Sequence, residues 1–146
     1  MKSEKLTYLL HRLAMQMDSF EDHELSSNFG ITFSQFRVLA GISQGKTCQS
    51  EIAAYWNITD AAINRQVDLL MSAGLVLKSP QKDNKRKNNI ELTVEGVKKL
   101  EEVFTFLDEK YTKIYGFLSD TEFEKLISQL ETILSNLGGD SSGTCH

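Results

Sequence analysis

Apolar residues recur at spacings of three and four along the first part of the chain, as on one side of an amphipathic helix. The stripe consists of Leu6, Leu10, Leu13, Met17 and Phe20. Gly30 follows it, and glycine is common just beyond the end of a helix. The pattern therefore predicts a long N-terminal helix that ends near Gly30.

Three further helices are predicted from capping residues. Thr32, followed three residues later by Gln35, fits a capping box at the start of a short helix. After the break at "QGKT", Thr47 is expected to cap a second short helix, "CQSEIAAYW", with Ile52, Ala53 and Trp56 facing inward. After "NIT", Thr59 is expected to cap a third helix, "DAAINRQVDLLMSAG".

The third of these helices has two different faces. Its apolar face is predicted to carry Ile63, Val67, Leu70 and Met71. The opposite face carries small and polar residues, namely Asp60, Ala61, Asn64, Arg65 and Asp68. Two short helices joined by a tight turn, the second with a polar outer face, indicate a helix-turn-helix.

A β-hairpin is predicted after this helix. "LVLKS" and "NIELT" are typical of short strands, since Ile90 and Leu92 alternate with polar residues. Between them lies the polar stretch "SPQKDNKRKNN", which is longer than a tight turn and predicts a projecting loop.

Two helices complete the chain. Thr93 is expected to cap the first, whose apolar stripe is Val97, Leu100, Phe104, Leu107, Tyr111 and Ile114. Ser119 and Glu122 form a capping box for the second, whose stripe is Phe123, Leu126, Leu130, Ile133 and Leu137. The fold class predicted is mainly α with a small β-hairpin wing: a winged helix-turn-helix between N- and C-terminal dimerisation helices.

This pattern divides the chain into an N-terminal dimerisation helix (1–31), a winged helix-turn-helix lobe (32–96), C-terminal dimerisation helices (97–137) and a flexible tail (138–146). The outer helices carry more apolar surface than so small a central lobe can cover. Such stripes usually find a partner chain, and two-fold symmetric dimers are the commonest solution. We therefore expect a homodimer.

The charge is distributed unevenly. The chain of 146 residues has a net charge of −4, yet residues 78–89 contain five cationic side chains and one acid, Asp83. The cations are Lys78, Lys82, Lys85, Arg86 and Lys87. Net charge governs solubility and long-range steering, whereas local patches decide contact. No apolar run approaches the length of a membrane span, and we expect a cytoplasmic protein.

The sequence offers no set of residues for catalysis. The two cysteines, Cys48 and Cys145, are too few for a disulfide framework, and the histidines are scattered without the spacing of a zinc site. No phosphate-binding glycine loop or nucleophile elbow is present in the sequence. We expect neither an enzyme nor a bound metal or cofactor.

Four segments in this order resemble the MarR family of bacterial transcription regulators. They are "ITFSQFRVLAGI", "CQSEIAAYWNIT", "INRQVDLLMSAGLV" and "IELTVEGVKKLEE", with the basic wing before the last. The resemblance covers nearly the whole chain. It implies a winged-helix homodimer that binds a pseudo-palindromic operator in double-stranded DNA, as a repressor, with release by a small-molecule effector.

In that setting the first turn of the recognition helix (Thr59, Asp60, Ala61) would face DNA, with Asn64 and Arg65 reading bases. Asparagine suits adenine and arginine suits guanine. The preceding helix would contact phosphates through Thr47, Gln49 and Ser50. In the wing, Arg86 would enter a minor groove and phosphates would be met by Lys82, Lys85 and Lys87.

Two positions depart from what the resemblance implies. Asn84 stands where the family's wing usually has an aspartate two residues before the arginine, although Asp83 is adjacent. Asp60 suits a helix N-terminus but would face phosphates.

Regulation is less evident in the sequence. The resemblance suggests an effector crevice that His11, Met15, Phe36 and Tyr111 could line, but each is more simply a packing or surface residue. Cys48 could act as a redox switch, since a helix N-terminus lowers a thiol pKa, although a small buried residue is the simpler interpretation. The competing class of function is a winged-helix module whose basic wing binds an acidic protein.

Overall fold

The structure is a computed structural model that describes residues 1–82 and 84–139, with the side chains of 84–87 left out. The described residues form helices α1 (Lys2–Phe29), α2 (Phe33–Ser43), α3 (Gln49–Trp56), α4 (Asp60–Ser72), α5 (Val94–Tyr115) and α6 (Asp120–Asn136), and strands β1 (Val76–Gln81) and β2 (Asn84–Leu92). The mainly helical class with one antiparallel hairpin is confirmed.

Most helix starts follow from the predicted caps. The Thr32 hydroxyl accepts from the backbone N–H of Gln35, whose side chain accepts in return from the Thr32 N–H at 2.9 Å. Ser119 and Glu122 form the same reciprocal box at the start of α6, whereas Thr59 and Thr93 cap α4 and α5 by accepting only from the backbone N–H three residues on. These caps satisfy backbone donors that the first helical turn leaves without partners.

The expected cap of α3 is wrong by one residue. Cys48 is the N-cap, and Thr47 lies before the helix. The backbone N–H of Thr47 donates to Oε2 of Glu51 at 2.7 Å, and its carbonyl accepts from the N–H of Ile90 at 2.8 Å. Thr47 thus lies beside β2, and its bonds to Ile90 and Glu51 replace the local cap.

The core lies in the central part of the chain. Ile52 from α3 and Ile63, Val67 and Leu70 from α4 are fully buried. Met71 is 39% exposed, so its predicted place on the apolar face is wrong, because it lies about 100° around the helix from Leu70. The terminal helices contribute little: α1 buries only Leu25, and α6 buries no residue.

The hairpin is longer than expected. β1 and β2 pair from Val76 with Leu92 out to Gln81 with Asn84, with an irregularity between Pro80 and Gln81. The expectation of a long loop over "SPQKDNKRKNN" is therefore wrong. Backbone pairing does not require apolar side chains, so the polar composition of this segment was a poor guide to its structure.

One close backbone approach fastens the hairpin to α5. The N–H of Thr93 donates to the Leu75 carbonyl at 3.0 Å, and its hydroxyl donates to the Gly74 carbonyl at 2.6 Å. A Cβ added to Gly96 would lie 2.0 Å from the Leu75 carbonyl oxygen. In the "LT-x-x-G" segment, Thr93 and Gly96 thus lie directly against the residues that follow α4.

Candidate nucleic-acid interface

A tight turn sets the angle between α3 and α4. Asn57 ends α3 in the left-handed conformation, with φ of 54°, which asparagine tolerates better than most residues. The N–H of Ile58 then returns to the carbonyl of Ala53 at 2.9 Å. Trp56 fastens α3 to α2, because its indole N–H donates to the Arg37 carbonyl at 2.8 Å. α4 therefore begins from a fixed position.

The polar side of α4 is open to solvent. The exposed residues include all of those predicted to face DNA, namely Thr59, Asp60, Ala61, Asn64 and Arg65. The buried residues Ile63, Val67 and Leu70 hold the other side of the helix against the core. The exposed side of α4 therefore presents a continuous polar row on a rigid helix, and this row is free to contact a groove or another surface.

The start of α3 lies against this row. Nε2 of Gln49 donates to Oδ1 of Asn64 at 2.8 Å. Beside it, the hydroxyl of Ser50 lies 3.4 Å from Oδ2 of Asp60. Gln49 and Ser50 are half-buried, whereas Thr47 is exposed just before the helix. The structure thus brings the predicted residues of the two helices together along one edge.

The hairpin stands next to the same edge. The bond between the Ile90 N–H and the Thr47 carbonyl ties β2 to the segment that leads into α3. Lys82 is exposed at the end of the hairpin. The side chains of Lys85, Arg86 and Lys87, and that of Asn84, lie outside the described residues.

Two acids and one lysine modify the charge of this surface. Lys78 forms an ion pair with Asp68 of α4 at 3.7 Å and is 22% exposed. This lysine of the basic cluster therefore joins the hairpin to α4. Glu51 accepts from both the backbone N–H and the hydroxyl of Thr47. Glu51 was not among the predicted residues, although a glutamate four residues after a threonine near a helix start is a usable signal.

The predicted effector residues are spread out. Phe36 is buried and packs edge to face on Phe104, with ring centroids 5.8 Å apart. Tyr111 is half-buried and contacts Glu21 of α1. His11 and Met15 are exposed on α1, and His11 lies about 15 Å along the helix from Glu21. A single chain therefore does not gather the four around one crevice.

Glu21 is a further residue of this region, and it is not among the predicted residues. Burial raises the pKa of its carboxyl, the hydrogen bond from Tyr111 partly opposes that rise, and Asp18 adds to it. Burial and the bond to Glu21 also raise the pKa of Tyr111. A usable signal was present, because an acid at position 21 directly follows the apolar stripe, four residues after Met17.

Cys48 is the residue immediately before α3, next to Gln49. It is 6% exposed, as expected of a small buried residue, and is disulfide-bonded. Cys145 falls outside the described residues.

Within residues 1–82 and 84–139, no helix has the length and apolar character that a membrane crossing requires. The same residues contain no group of three or more His, Cys, Asp or Glu side chains arranged to hold a metal ion.

Comparison with known proteins supports one family. A sequence model of the MarR family matches residues 29–87, which span α2, α3, α4 and most of the hairpin. The chain is 28% identical over 134 residues to the HTH-type transcriptional repressor YetL of Bacillus subtilis, covering 88% of this chain and 78% of that protein.

Solved structures agree with this match. The fold resembles the transcriptional regulator BldR of Sulfolobus solfataricus with a TM-score of 0.84 and 21% identity, over 92% of this chain and 96% of that one. It also resembles a cysteine-to-serine mutant of E. coli MarR in complex with operator DNA, with a TM-score of 0.75 and 26% identity, over 89% and 94% of the two chains. In the matched segment, the order of its elements and its winged helix-turn-helix, this chain is thus similar to transcriptional regulators of the MarR family.

Proposed function

We propose that this protein binds double-stranded DNA as a homodimer, recognises a pseudo-palindromic operator and represses transcription in the cytoplasm. α4 lies in the major groove, where Asn64 and Arg65 read base edges. The start of α3 and the hairpin contact the sugar-phosphate backbone of the DNA on either side of that groove. The observation that carries the proposal is the exposed polar row of α4, with Gln49 and Ser50 of α3 along one edge.

The chemistry of this row suits a groove. An arginine can donate two hydrogen bonds to guanine, and an asparagine can pair with adenine. Thr59 and Ala61 are small enough to let the helix approach closely. Two relatives agree with this role, since YetL is named a transcriptional repressor and a MarR structure contains operator DNA.

The homodimer is supported by the uncovered apolar faces of the terminal helices. Leu130 and Leu134 of α6 are 42% and 55% exposed, and Leu6 and Leu13 of α1 are about half exposed. A helix that buries nothing in its own chain gains little stability from packing, although packing of an amphipathic face supplies most of the stability of helices in proteins. A second copy of the chain would present the same apolar faces, and in a two-fold symmetric dimer each copy would cover those of the other.

We extend the proposal to release of DNA by a small molecule. The junction of α1 and α5, where Tyr111 meets Glu21, offers a half-buried polar pair. A ligand can shift the separation of two recognition helices only if it binds one state more tightly.

The direct test is selection of bound sequences from a random pool of duplex DNA. A palindrome with half-sites about one helical turn apart is expected, because a two-fold dimer presents two equal recognition helices. Recovery of no sequence preference, together with capture of an acidic protein by the hairpin face, would instead favour a protein-binding module. The same selection with and without a thiol reductant tests the redox interpretation of Cys48.

A further inference from the structure

One hydrogen bond in the helix-turn-helix joins a residue expected at phosphates to a residue expected at bases. Nε2 of Gln49, in the first turn of α3, donates to Oδ1 of Asn64, in the second turn of α4, at 2.8 Å. Gln49 is half-buried, whereas Asn64 is exposed. The more buried side chain therefore holds the more exposed one.

We propose that Gln49 is a specificity-determining positioning residue, which sets the orientation of the Asn64 carboxamide and thereby the base that Asn64 reads. This inference rests on the proposed function, since it assumes that α4 enters a major groove. It assigns Gln49 a role beyond contact with phosphate.

The chemistry of two amides explains how the orientation is set. A carboxamide has a donor end and an acceptor end, and an exposed asparagine can present either after a rotation about its last torsion. The bond from Gln49 occupies one lone pair of the Asn64 oxygen. Rotation of the Asn64 amide alone would turn its NH₂ group toward the Gln49 NH₂ group, so that two donors would face each other.

The held amide leaves a defined edge for DNA. Nδ2 of Asn64 keeps both of its N–H donors, since the described part of the chain gives this group no hydrogen-bond partner, and Oδ1 keeps its second lone pair. A donor beside an acceptor complements N7 and N6 of adenine in the major groove. Gln49 thus prepares Asn64 for adenine before DNA arrives, which lowers the entropy lost on binding.

The neighbouring pair provides a contrast. The Ser50 hydroxyl and Oδ2 of Asp60 also bridge α3 and α4, at 3.4 Å. A carboxylate accepts through either oxygen, so this contact does not choose between a donor end and an acceptor end. Ser50→Ala is therefore a matched control: it removes a bridge at the adjacent position without changing how Asn64 is turned.

The test is sequence selection from a random duplex pool with the parent chain and five variants: Gln49→Leu, Gln49→Glu, Asn64→Ala, the double variant Gln49→Leu/Asn64→Ala and the control Ser50→Ala. The parent is expected to prefer adenine by roughly 5- to 150-fold at one position in each half-site. Gln49→Leu should lose most of that preference while keeping the rest of the palindrome. Gln49→Glu can only accept from Asn64, so the asparagine oxygen turns outward and preference should move from adenine toward cytosine, which offers an amino donor without a neighbouring acceptor.

Two comparisons separate positioning from direct contact. In the Asn64→Ala background, Gln49→Leu should cause no further change at that position, because Gln49 acts through Asn64. Ser50→Ala should lower affinity for all sequences by a similar factor. Thermal melting of each variant, together with retention of the remaining half-site preferences, shows that the lobe is folded.

The outcomes distinguish the two proposals. If the parent selects a palindrome and Gln49→Leu keeps the same preference at every position, the positioning role is overturned while the proposed function stands. Equal loss of preference at all positions would also overturn it, because that result indicates a general structural role. If the parent selects no sequence at all, both proposals fall.

Discussion

The hydroxyl of Tyr111 on α5 donates a hydrogen bond to Oε1 of Glu21 on α1, joining residues 90 positions apart in the chain. The bond lies where the long N-terminal helix crosses the helix that follows the wing. Burial raises the pKa of the Glu21 carboxyl, in spite of the hydrogen bond from Tyr111. The carboxylate is therefore held at a net electrostatic cost.

Glu21→Gln is expected to stabilise the protein at neutral pH and to have less effect in acid. Between the ordinary carboxyl pKa of 4.5 and its raised folded value, the folded protein keeps a proton that the unfolded chain releases, so parental stability falls as pH rises through this window. The variant lacks that titration. Because Glu21 is only half-buried, the gain should stay below about 1 kcal/mol. Urea unfolding of both proteins across this pH range measures the difference.

Tyr111→Phe should change stability in the opposite direction. It removes the donor while leaving the carboxylate, so a loss of about 1 kcal/mol is expected at neutral pH. The loss should shrink below the window, where Glu21 is protonated and can donate to other groups or water. Stabilisation by Tyr111→Phe at neutral pH would contradict the role assigned to this hydrogen bond.

Gly96→Ala is expected to destabilise the lobe by about 1–3 kcal/mol or more, because the new Cβ would lie 2.0 Å from the Leu75 carbonyl oxygen. Relief of that clash must displace the same carbonyl that accepts from the Thr93 N–H. Thermal unfolding measures the effect. Glu95→Ala is the matched control, since Glu95 is exposed in the same helical turn and its loss should cost only a few tenths of a kcal/mol. Equal melting temperatures for the two variants would contradict the close approach.

Much of the fold was predictable because its signals are local. The caps at Thr32, Thr59, Thr93 and Ser119 depend on residues three positions apart, so the sequence alone reveals them. Thr47 failed as a cap because its carbonyl is taken by Ile90, which lies far along the chain. A pairing between distant segments leaves no trace in local spacing.

The candidate site was predictable as a set of residue types but not as a set of partners. Asn64 and Arg65 follow from a polar face on a helix. The bonds from Gln49 to Asn64 and from Tyr111 to Glu21 depend instead on how helices cross in the folded chain. The orientation of the Asn64 amide and the free-energy cost of the half-buried Glu21 carboxylate therefore depend on how the helices cross.

Asp60→Asn is expected to tighten operator binding by roughly two- to fivefold, in line with the small free energies of exposed charge pairs. The substitution removes a negative charge from the start of α4, where it would face phosphates, and keeps an oxygen that can accept from Ser50. Loss of the acid at a helix N-terminus should cost about 0.3–1 kcal/mol of stability. Operator titrations at two salt concentrations measure the gain, which should shrink as salt rises. Weaker binding by the folded variant would show that Asp60 contacts DNA favourably.

Arg86→Ala is expected to weaken operator binding by about 1–3 kcal/mol if the wing enters a groove. For the parent dimer, neutralising roughly six to ten phosphates implies a loss of about 10³–10⁵ in affinity between about 50 and 200 mM salt. Mobility-shift titrations measure both effects. Lys125→Ala, which removes one exposed cation from α6, is the charge-matched control. Equal affinity for Arg86→Ala and the parent would contradict the wing assignment, and a flat salt dependence would contradict backbone contact altogether.

Leu130→Asp is expected to convert the protein from a dimer to a monomer. Leu130 is 42% exposed on a helix that buries no residue in its own chain, and Leu126 and Leu134 extend the same apolar face. A carboxylate in the interior of an interface would lose its hydration without gaining a partner, which costs several kcal/mol. Sedimentation equilibrium should show the parent at twice the chain mass of 16.5 kDa and the variant near that single mass. Val94→Asp is the control, because Val94 is 84% exposed at the first residue of α5, before the predicted dimerisation segment 97–137. A dimeric Leu130→Asp variant would mean that α6 is covered by something other than a second copy. If the variant is monomeric and binds the operator with parental affinity, DNA recognition does not depend on dimerisation.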